Sequence, residues 1–277
     1  MARSLFDFNA AGRARVRAAR LDADRFLDRA AAEGLADRLA AVTRRFERGL
    51  LIAASGETVP PAIAPFAASW TAAGFDAHEV LHAGTGFDLA VSLFSLQAIN
   101  DLPGALAQIR MALRPDGLFM GAMLGGRTLA ELRDAFAHAE AATRGGVSPR
   151  VSPFADVRDL GGLLQRAGFA LPVADVERLT VRYGDFFALA RDLRGHGFTN
   201  AMAERSRAPL RRDTLAAMLA HYAANHADAD GKLRAQFETL YLTGWSPHES
   251  QQKPLAPGSA KTRLAAALGV TERTIRE

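Results

Sequence analysis

Short apolar runs that alternate with segments of helical length are the feature that most constrains this fold. FDLAVSLFSL (87–96) and LFMGAML (118–124) are almost free of charge, and RGLLIAAS (48–55) ends in small residues. Continuous apolar strands are typical of a parallel sheet covered on both faces. The sequence therefore predicts an α/β fold with a mostly parallel sheet, and it predicts further strands around 173–183 and at 238–245.

Helices are predicted from apolar spacing and from capping signals. Asp101 can cap a helix in which Leu102, Leu106 and Ile109 share one face, and Thr128 with Glu131 forms a capping-box pattern. Arg114 to Gly117 is predicted to be a turn. The predicted helices are 22–48, a small-residue helix from Pro60 to about Ala73, 101–113, one beginning at 128, 156–166 closed by Gly168, 185–194 and 212–226.

The position of a ligand site follows from this architecture. In open parallel sheets, ligands bind beyond the carboxyl ends of the strands, where the strand order reverses. The loops after residues 54, 92 and 123 are therefore the candidate site.

Composition narrows the class of protein. No window approaches 18 consecutive apolar residues, no signal-peptide core is evident near the start, and cysteine is absent. These features predict a cytoplasmic protein without disulfides or thiolate chemistry.

Residues 1–48 carry eleven arginines and seven acidic residues. This basic arm could meet an acidic partner, a phosphate or an anionic membrane face, or it could be a solvated helix face; we expect no nucleic-acid partner.

The segment HEVLH (78–82) has the H-E-x-x-H pattern in which two histidines bind zinc and the glutamate is a general base. It lies between Gly74 and Gly84, a span too short for a helix of two turns. The extended form of the motif needs Gly and His where Thr85 and Asp88 stand. A zinc hydrolase is therefore an unfavoured alternative. The seven histidines show no other spacing typical of a two-His-one-carboxylate iron site, so no metal site is predicted.

Several longer blocks carry a resemblance to a known family. FDLAVSLFSLQAINDLPGALAQIRMALRPDGLFMGAM followed by FADVRDLGGLLQRAGF resembles a class I S-adenosylmethionine-dependent methyltransferase. With SLFDFN, GGVSPRVSPF, LRRDTL and GWSPHESQQKPLAPGSA, the chain is similar to the mitochondrial complex I assembly arginine hydroxylase family and its bacterial methyltransferase-like relatives. The resemblance implies a Rossmann-like methyltransferase fold, an S-adenosylmethionine cofactor, and an iron–sulfur subunit of respiratory complex I as protein substrate.

The chain departs from that pattern in the cofactor half. The family's first strand ends in an acidic residue and a Gly-x-Gly loop, but Ala53 and Ala54 stand there and only Gly56 remains. About thirty residues separate this loop from FDLAVS, which leaves room for one helix and one short strand. The family's LHW is altered to Leu96-Gln97-Ala98. We expect a fold shortened between its first strand and FDLAVS, with an eroded cofactor loop.

Candidate cofactor-binding residues follow from the strand ends. Asp76 or Glu79 would replace the missing acid at the ribose hydroxyls; all of these positions could equally be ordinary loop residues. The candidate cofactor residues are Ala54, Ser55, Gly56, Glu57, Asp76, Ser92, Leu93 and Phe94.

A second polar cluster follows the last strand. Trp245, His248, Glu249 and Gln251 could recognise a protein substrate, with Glu249 pairing to an arginine guanidinium, or could be a tail folded over the core. Ser152-Pro153-Phe154 reads as a helix entrance or as the wall of a substrate cleft. Arg17 and Arg20 could reach a ligand carboxylate or lie on a solvated face.

The predicted organisation is a basic helical arm (1–48), a methyltransferase-like domain (49–247) with a helical insertion at about 185–230, and a tail (248–277). Two functions remain open: an S-adenosylmethionine-dependent enzyme that modifies a protein arginine, and a non-catalytic assembly chaperone with a degenerate cofactor site. No catalytic residue is assigned.

Overall fold

The computed structural model describes residues 4–21, 23–53, 57–252, 259, 262 and 269. Residues 1–247 form one compact unit and residues 248–277 a second one. In chain order the first unit contains α1 (Phe8–Ala18), α2 (Phe26–Ala40), β1 (Phe46–Ile52), a short 3-10 turn (Ala64–Phe66), β2 (Ala67–Ala73), β3 (Phe87–Leu93), α3 (Leu102–Ala112), β4 (Leu113–Leu124), α4 (Ala130–Arg144), α5 (Val157–Arg166), β5 (Ala170–Tyr183), α6 (Phe186–Gly195), α7 (Arg212–His226) and β6 (Leu233–Trp245).

The six strands form one sheet in the order β2-β1-β3-β4-β6-β5. β1 pairs in parallel with both β2 and β3, and β3 pairs in parallel with β4. β6 is antiparallel to both of its neighbours, β4 and β5. The sheet is thus mostly parallel, and the predicted α/β class is confirmed.

Helices cover the sheet on both faces. One core contains Leu35 of α2, Ala135 of α4, Leu189 of α6 and Tyr222 of α7. The other contains Leu106 of α3 and residues of α5. Because each central strand is buried on both faces, its sequence is a continuous apolar run rather than an alternating one. β3 shows this directly, with six of its seven residues buried.

Most predicted elements are present, and several begin or end at the expected signal. Asp101 caps α3 by accepting a hydrogen bond from Gly104 N, and α7 spans the predicted 212–226. Gly168, at φ +84°, follows α5 as the predicted stop. The basic segment is not one long helix: its second half holds α2, and β1 already begins at Phe46.

Three local predictions are wrong. The expected turn at Arg114 to Gly117 lies within β4, where the pairing of that strand with β3 is irregular. The helix expected from Pro60 to Ala73 is the 3-10 turn and β2, because pairing with β1 outweighs the helix propensity of its alanines. Thr128 and Glu131 do not form a capping box. The Thr128 hydroxyl exchanges hydrogen bonds with the backbone of Glu238 in β6, and the Glu131 carboxylate accepts from Gln236 N.

Among the described residues, no helix combines the length and the apolar character that crossing a membrane requires.

Candidate functional site

A cavity of about 600 Å³ opens at the carboxyl ends of the parallel strands. Ile52 and Ala53 reach it from β1, Gly74 from β2 and Leu124 from β4. From β1 the chain continues to β2 on one side and then to β3 on the other side, so the strand order reverses at β1. An open α/β sheet forms its ligand crevice at such a point. The volume lies within the roughly 300–1,000 Å³ of small-molecule sites. The rest of the wall comes mainly from residues 6–16, Phe75, Asp76, His82, residues 94–99, Ser152, Phe154 and residues 197–201.

Asp76 is the acidic side chain in the cavity wall just after β2. Its Oδ1 accepts hydrogen bonds from His78 N (2.8 Å) and Val80 N (3.0 Å), and its Oδ2 is 2.9 Å from His82 Nε2. The His82 bond, followed by the backbone bond from Val80, lowers the pKa of Asp76 to about 2. The carboxylate is therefore ionised at neutral pH, and it keeps an acceptor position for one further donor because two oxygens offer about four lone-pair sites.

Gly74 allows the ends of β1 and β2 to approach each other at the cavity floor. A Cβ on Gly74 would lie 2.4 Å from the carbonyl oxygen of Ala53, a backbone atom that is hard to displace. Ala53 N in turn donates to Ala73 O at 3.0 Å. The backbone, rather than an acidic side chain, therefore forms the floor where the family pattern predicts an acid.

Residues 4–8, which we call the N-terminal strap, contribute Phe6 and Phe8 to the cavity wall. Hydrogen bonds to two other segments of the chain fix the backbone of this strap. Asn100 Oδ1 accepts from Phe6 N (2.8 Å), and Asn100 Nδ2 donates to Phe6 O (3.3 Å). On the other side, Asp7 N donates to Ala201 O (2.8 Å) and Ala203 N to Leu5 O (2.9 Å). The SLFDFN block thus acts as a wall of the cavity.

Glu79, the central residue of HEVLH, supports this strap. Its carboxylate accepts from Asn100 N, Asn100 Nδ2 and Asp101 N at 2.7–2.8 Å, and its backbone lies in the left-handed region at φ +60°. The segment 76–82 is a loop rather than a helix, so His78 and His82 are not one helical turn apart. Glu79 does not line the cavity, and of the two acids proposed for a ribose only Asp76 does.

Arg15 of α1 is a cation in the cavity wall, and it reaches the loop after β1. Its Nη1 is 2.8 Å from Glu57 Oε1, and both side chains are largely buried. Arg17 and Arg20, considered above as ligand contacts, are exposed and do not line the cavity.

Phe94 continues β3 into the cavity wall with an unusual backbone. It is 1% exposed and lies at φ +50°, a conformation that costs a non-glycine residue about 1–2 kcal/mol. Its ring packs edge-on against Phe198, 5.3 Å between centroids. Ser92 is fully buried, and neither Ser92 nor Leu93 lines the cavity. The predicted loop residues Ala54, Ser55 and Gly56 lie outside the described residues.

Ser152 and Phe154 belong to the cavity wall, and they are not a helix entrance because Asp156 is the N-cap of α5. The preceding residues are held by the buried carboxylate of Glu140. It accepts from Ser148 N (2.6 Å), Ser148 Oγ and Arg150 Nε (2.7 Å). This explains why the GGVSPRVSPF block, remote in sequence from every strand end, reaches the site.

Trp245, the first residue of the polar cluster at the end of β6, does not line the cavity. Trp245 pairs with Leu118 near the middle of β4, whereas the cavity is reached by Leu124 at the carboxyl end of that strand. His248 and Gln251 form a local turn in the second unit, where His248 N donates to Gln251 Oε1 at 3.2 Å, and Glu249 is exposed. Their role in binding a substrate stays a prediction.

Sequence reasoning missed Phe6, Arg15, Gln97 and Phe198 as cavity residues. Phe6 lies in the SLFDFN block, which resembles the family, and Gln97 lies at the altered LHW position, so the resemblance and the departure from it could have marked these two residues. Phe198 lies after α6, about a hundred residues from Phe94, and carries no local signal.

A mostly parallel sheet with a cavity at its switch point defines a Rossmann-like α/β protein, a class of fold in which ligands bind at the carboxyl ends of the strands. The methyltransferase domain family model matches residues 1–172, and the chain belongs to that family. The crystal structure of the YcgJ protein from Bacillus subtilis has the same fold, with a TM-score of 0.50 at 11% identity over 78% of this chain and 98% of that one.

Curated relatives carry two names. The mitochondrial arginine-hydroxylase NDUFAF5 of Homo sapiens is 47% identical over 174 residues, which are 63% of this chain and 50% of the relative. The Danio rerio protein of the same name is 45% identical over 65% of this chain and 56% of the relative. A malonyl-[acyl-carrier protein] O-methyltransferase of Laribacter hongkongensis is 38% identical over 66% of this chain and 59% of the relative. The chain spans about half the length of the curated relatives it matches.

Proposed function

We propose that this chain binds S-adenosylmethionine in the switch-point cavity and acts on a protein substrate as an arginine-modifying assembly factor of the hydroxylase type. The observation that carries the cofactor assignment is the ionised Asp76 after β2, beside a largely apolar cavity of suitable size. The vertebrate arginine-hydroxylase relatives are 45–47% identical to this chain and the malonyl-[acyl-carrier protein] O-methyltransferases 36–40%, which favours an arginine substrate over an acyl-carrier one.

The residues present fit this cofactor. Asp76 has room to accept a ribose hydroxyl, Phe75 and Ile99 offer apolar contact to an adenine ring, and Arg15 offers a cation to an amino-acid carboxylate. When bound, S-adenosylmethionine supplies a sulfonium with a transferable methyl group. Ser152 and Phe154 would shape the part of the cavity that a substrate side chain enters.

Titration calorimetry of Asp76→Asn with S-adenosylmethionine tests the cofactor site. Asparagine replaces the charged carboxylate of Asp76 with a neutral amide of nearly the same size. A hydrogen bond to a charged group contributes about 1.5–3 kcal/mol, so we expect the dissociation constant to rise at least about tenfold. Asp159→Asn is the matched control, since Asp159 is exposed on α5 and does not line the cavity; the dissociation constant of this variant should change less than about threefold. Equal affinity of Asp76→Asn and wild type would refute the assignment.

A non-catalytic assembly chaperone is the second candidate. The specific observation in its favour is that Ala53 occupies the cavity floor where the family pattern has an acidic residue. The absence of binding heat at millimolar S-adenosylmethionine, with retained binding to a partner, would select this function.

The proposed partner is an iron–sulfur subunit of respiratory complex I. The exposed Arg13 and Arg17 of α1, with Arg20 just after that helix, give the chain a basic face for this contact. We expect an affinity-tagged chain expressed in its native host to co-purify with complex I subunits, as read by mass spectrometry. The tagged Asp76→Asn variant should retain the association if the partner binds outside the cofactor cavity. The lack of any complex I subunit in both pull-downs would contradict the enzyme and the chaperone alike.

A further inference from the structure

Two histidines of α7 and an aspartate of α4 converge on the protein surface, away from the cavity. His221 Nε2 lies 2.8 Å and His226 Nε2 2.7 Å from the same oxygen, Asp134 Oδ2. One donor atom from each of the three residues lies within 4.8 Å of the other two. None of the three lines the cavity. Asp134 and His221 are 87 positions apart in the chain, so no local sequence pattern marks this cluster.

The distances suit a metal ion. Bonds of about 2.0–2.2 Å from zinc to imidazole nitrogen or carboxylate oxygen place neighbouring ligand atoms about 3.0–3.6 Å apart. Both nitrogens would therefore have to move away from the Asp134 oxygen by less than about 1 Å. The aspartate side chain is 55% exposed, so it is free to make this adjustment.

The two imidazoles are already oriented by their neighbours. The His221 ring stacks on His138 with 4.1 Å between centroids, and the His226 ring meets the edge of Tyr222 at 5.7 Å. Tyr222 is itself buried and donates its hydroxyl to Arg234 O. The histidine side chains are only 17% and 22% exposed, so little rotamer freedom remains to be lost on binding.

The donor set selects a class of ion. Two imidazole nitrogens with one carboxylate oxygen suit first-row transition metals such as zinc, whereas magnesium and calcium prefer oxygen ligands alone. Three protein ligands leave at least one coordination position to water. We propose that Asp134, His221 and His226 form a binding site for a divalent first-row transition-metal ion, with zinc as the leading candidate, that clamps the end of α7 onto α4.

The test uses the full chain without a polyhistidine tag, stripped with a chelator and titrated with zinc chloride in a calorimeter. We expect one zinc per chain with a dissociation constant of about 10 μM or tighter, and a rise in melting temperature that the chelator reverses. Asp134→Asn, His221→Gln and His226→Gln should each weaken binding at least about tenfold. With cobalt(II), the wild type should develop visible d–d absorption bands that these variants lack.

His78→Gln and His82→Gln are matched controls from the other histidine pair, and they should bind zinc as the wild type does. Two results would overturn the proposal: zinc binding no tighter than millimolar, or unchanged affinity in Asp134→Asn and His221→Gln. Loss of binding in the His82→Gln control but not in His221→Gln would place the ion at HEVLH and would equally refute the α4–α7 site.

Discussion

At the scale of single residues, buried carboxylates organise the segments that form the cavity. Glu140 has a fully buried side chain on α4 and binds both the backbone and the hydroxyl of Ser148 and the guanidinium of Arg150. A buried charge is tolerated only when it is paired and hydrogen-bonded, and the carboxylate of Glu140 is bonded by Arg144, Ser148 and Arg150. One side chain therefore fixes the course of the chain that leads into Ser152 and Phe154.

We expect Glu140→Gln to lower the free energy of unfolding by about 1–3 kcal/mol, since it removes the charged acceptor from a buried network. Urea denaturation at pH 7 measures the loss. Glu33→Gln is the matched control, because Glu33 is exposed on α2, and its unfolding free energy should change by less than about 0.5 kcal/mol.

The same variant has a pH signature. Burial tends to raise the pKa of Glu140, but the Ser148 hydrogen bonds and Arg150 outweigh it, so the net shift is downward from 4.5. A carboxyl with a lowered folded-state pKa stabilises the protein fully above its unfolded value and loses that contribution as the pH falls through the folded value. The stability gap between wild type and Glu140→Gln should therefore narrow below about pH 4.5. A gap that widens in acid would contradict this linkage.

At the scale of elements, the N-terminal strap depends on a relay through the entrance of α3. Glu79 holds Asn100, and Asn100 holds both backbone groups of Phe6. The H-E-x-x-H pattern is thus explained by a local hydrogen-bonding role of its glutamate, which needs no helix and no metal.

We expect Asn100→Ala to release the strap while the sheet stays folded. The change removes two hydrogen bonds to Phe6, each contributing about 0.5–1.5 kcal/mol, so hydrogen-exchange protection of the amides of residues 6–10 should fall roughly tenfold. Exchange followed by mass spectrometry measures this. Asp101→Asn is the control, because asparagine caps a helix as well as aspartate does. Unchanged protection in Asn100→Ala would show that the bonds to Ala201 and Ala203 hold the strap alone.

At the scale of the whole molecule, the sequence predicts most strands of the sheet but not most residues of the site. Apolar runs located β1, β3 and β4 because a parallel strand that is buried on both faces is a nearly continuous run of apolar residues. β2 was mistaken for a helix because it is an edge strand of small residues whose conformation depends on pairing with β1.

The candidate site combined near and distant parts of the chain. Asp76 could be proposed because it lies in the shortened segment between the first strand and FDLAVS, where the family has an acid for the ribose hydroxyls. Phe198 and the Glu140 network come from elements whose approach to the cavity depends on tertiary packing. The Asp134, His221 and His226 cluster depends on the alignment of two helices far apart in sequence, and no local period encodes that alignment.

The strand order has a consequence for how the chain is made. β6 is the last strand among the described residues, yet it lies between β4 and β5; it pairs with β5 along nearly its whole length and with β4 over residues 239–245. As the chain leaves the ribosome, β4 and β5 each keep an unpaired edge until residues 233–245 emerge. These residues are synthesised only after α6 and α7. Open strand edges are templates for wrong pairing, and non-local pairing is slow. Completion of this sheet is thus a late event in synthesis, and the nascent chain is most exposed to aggregation just before β6 is added.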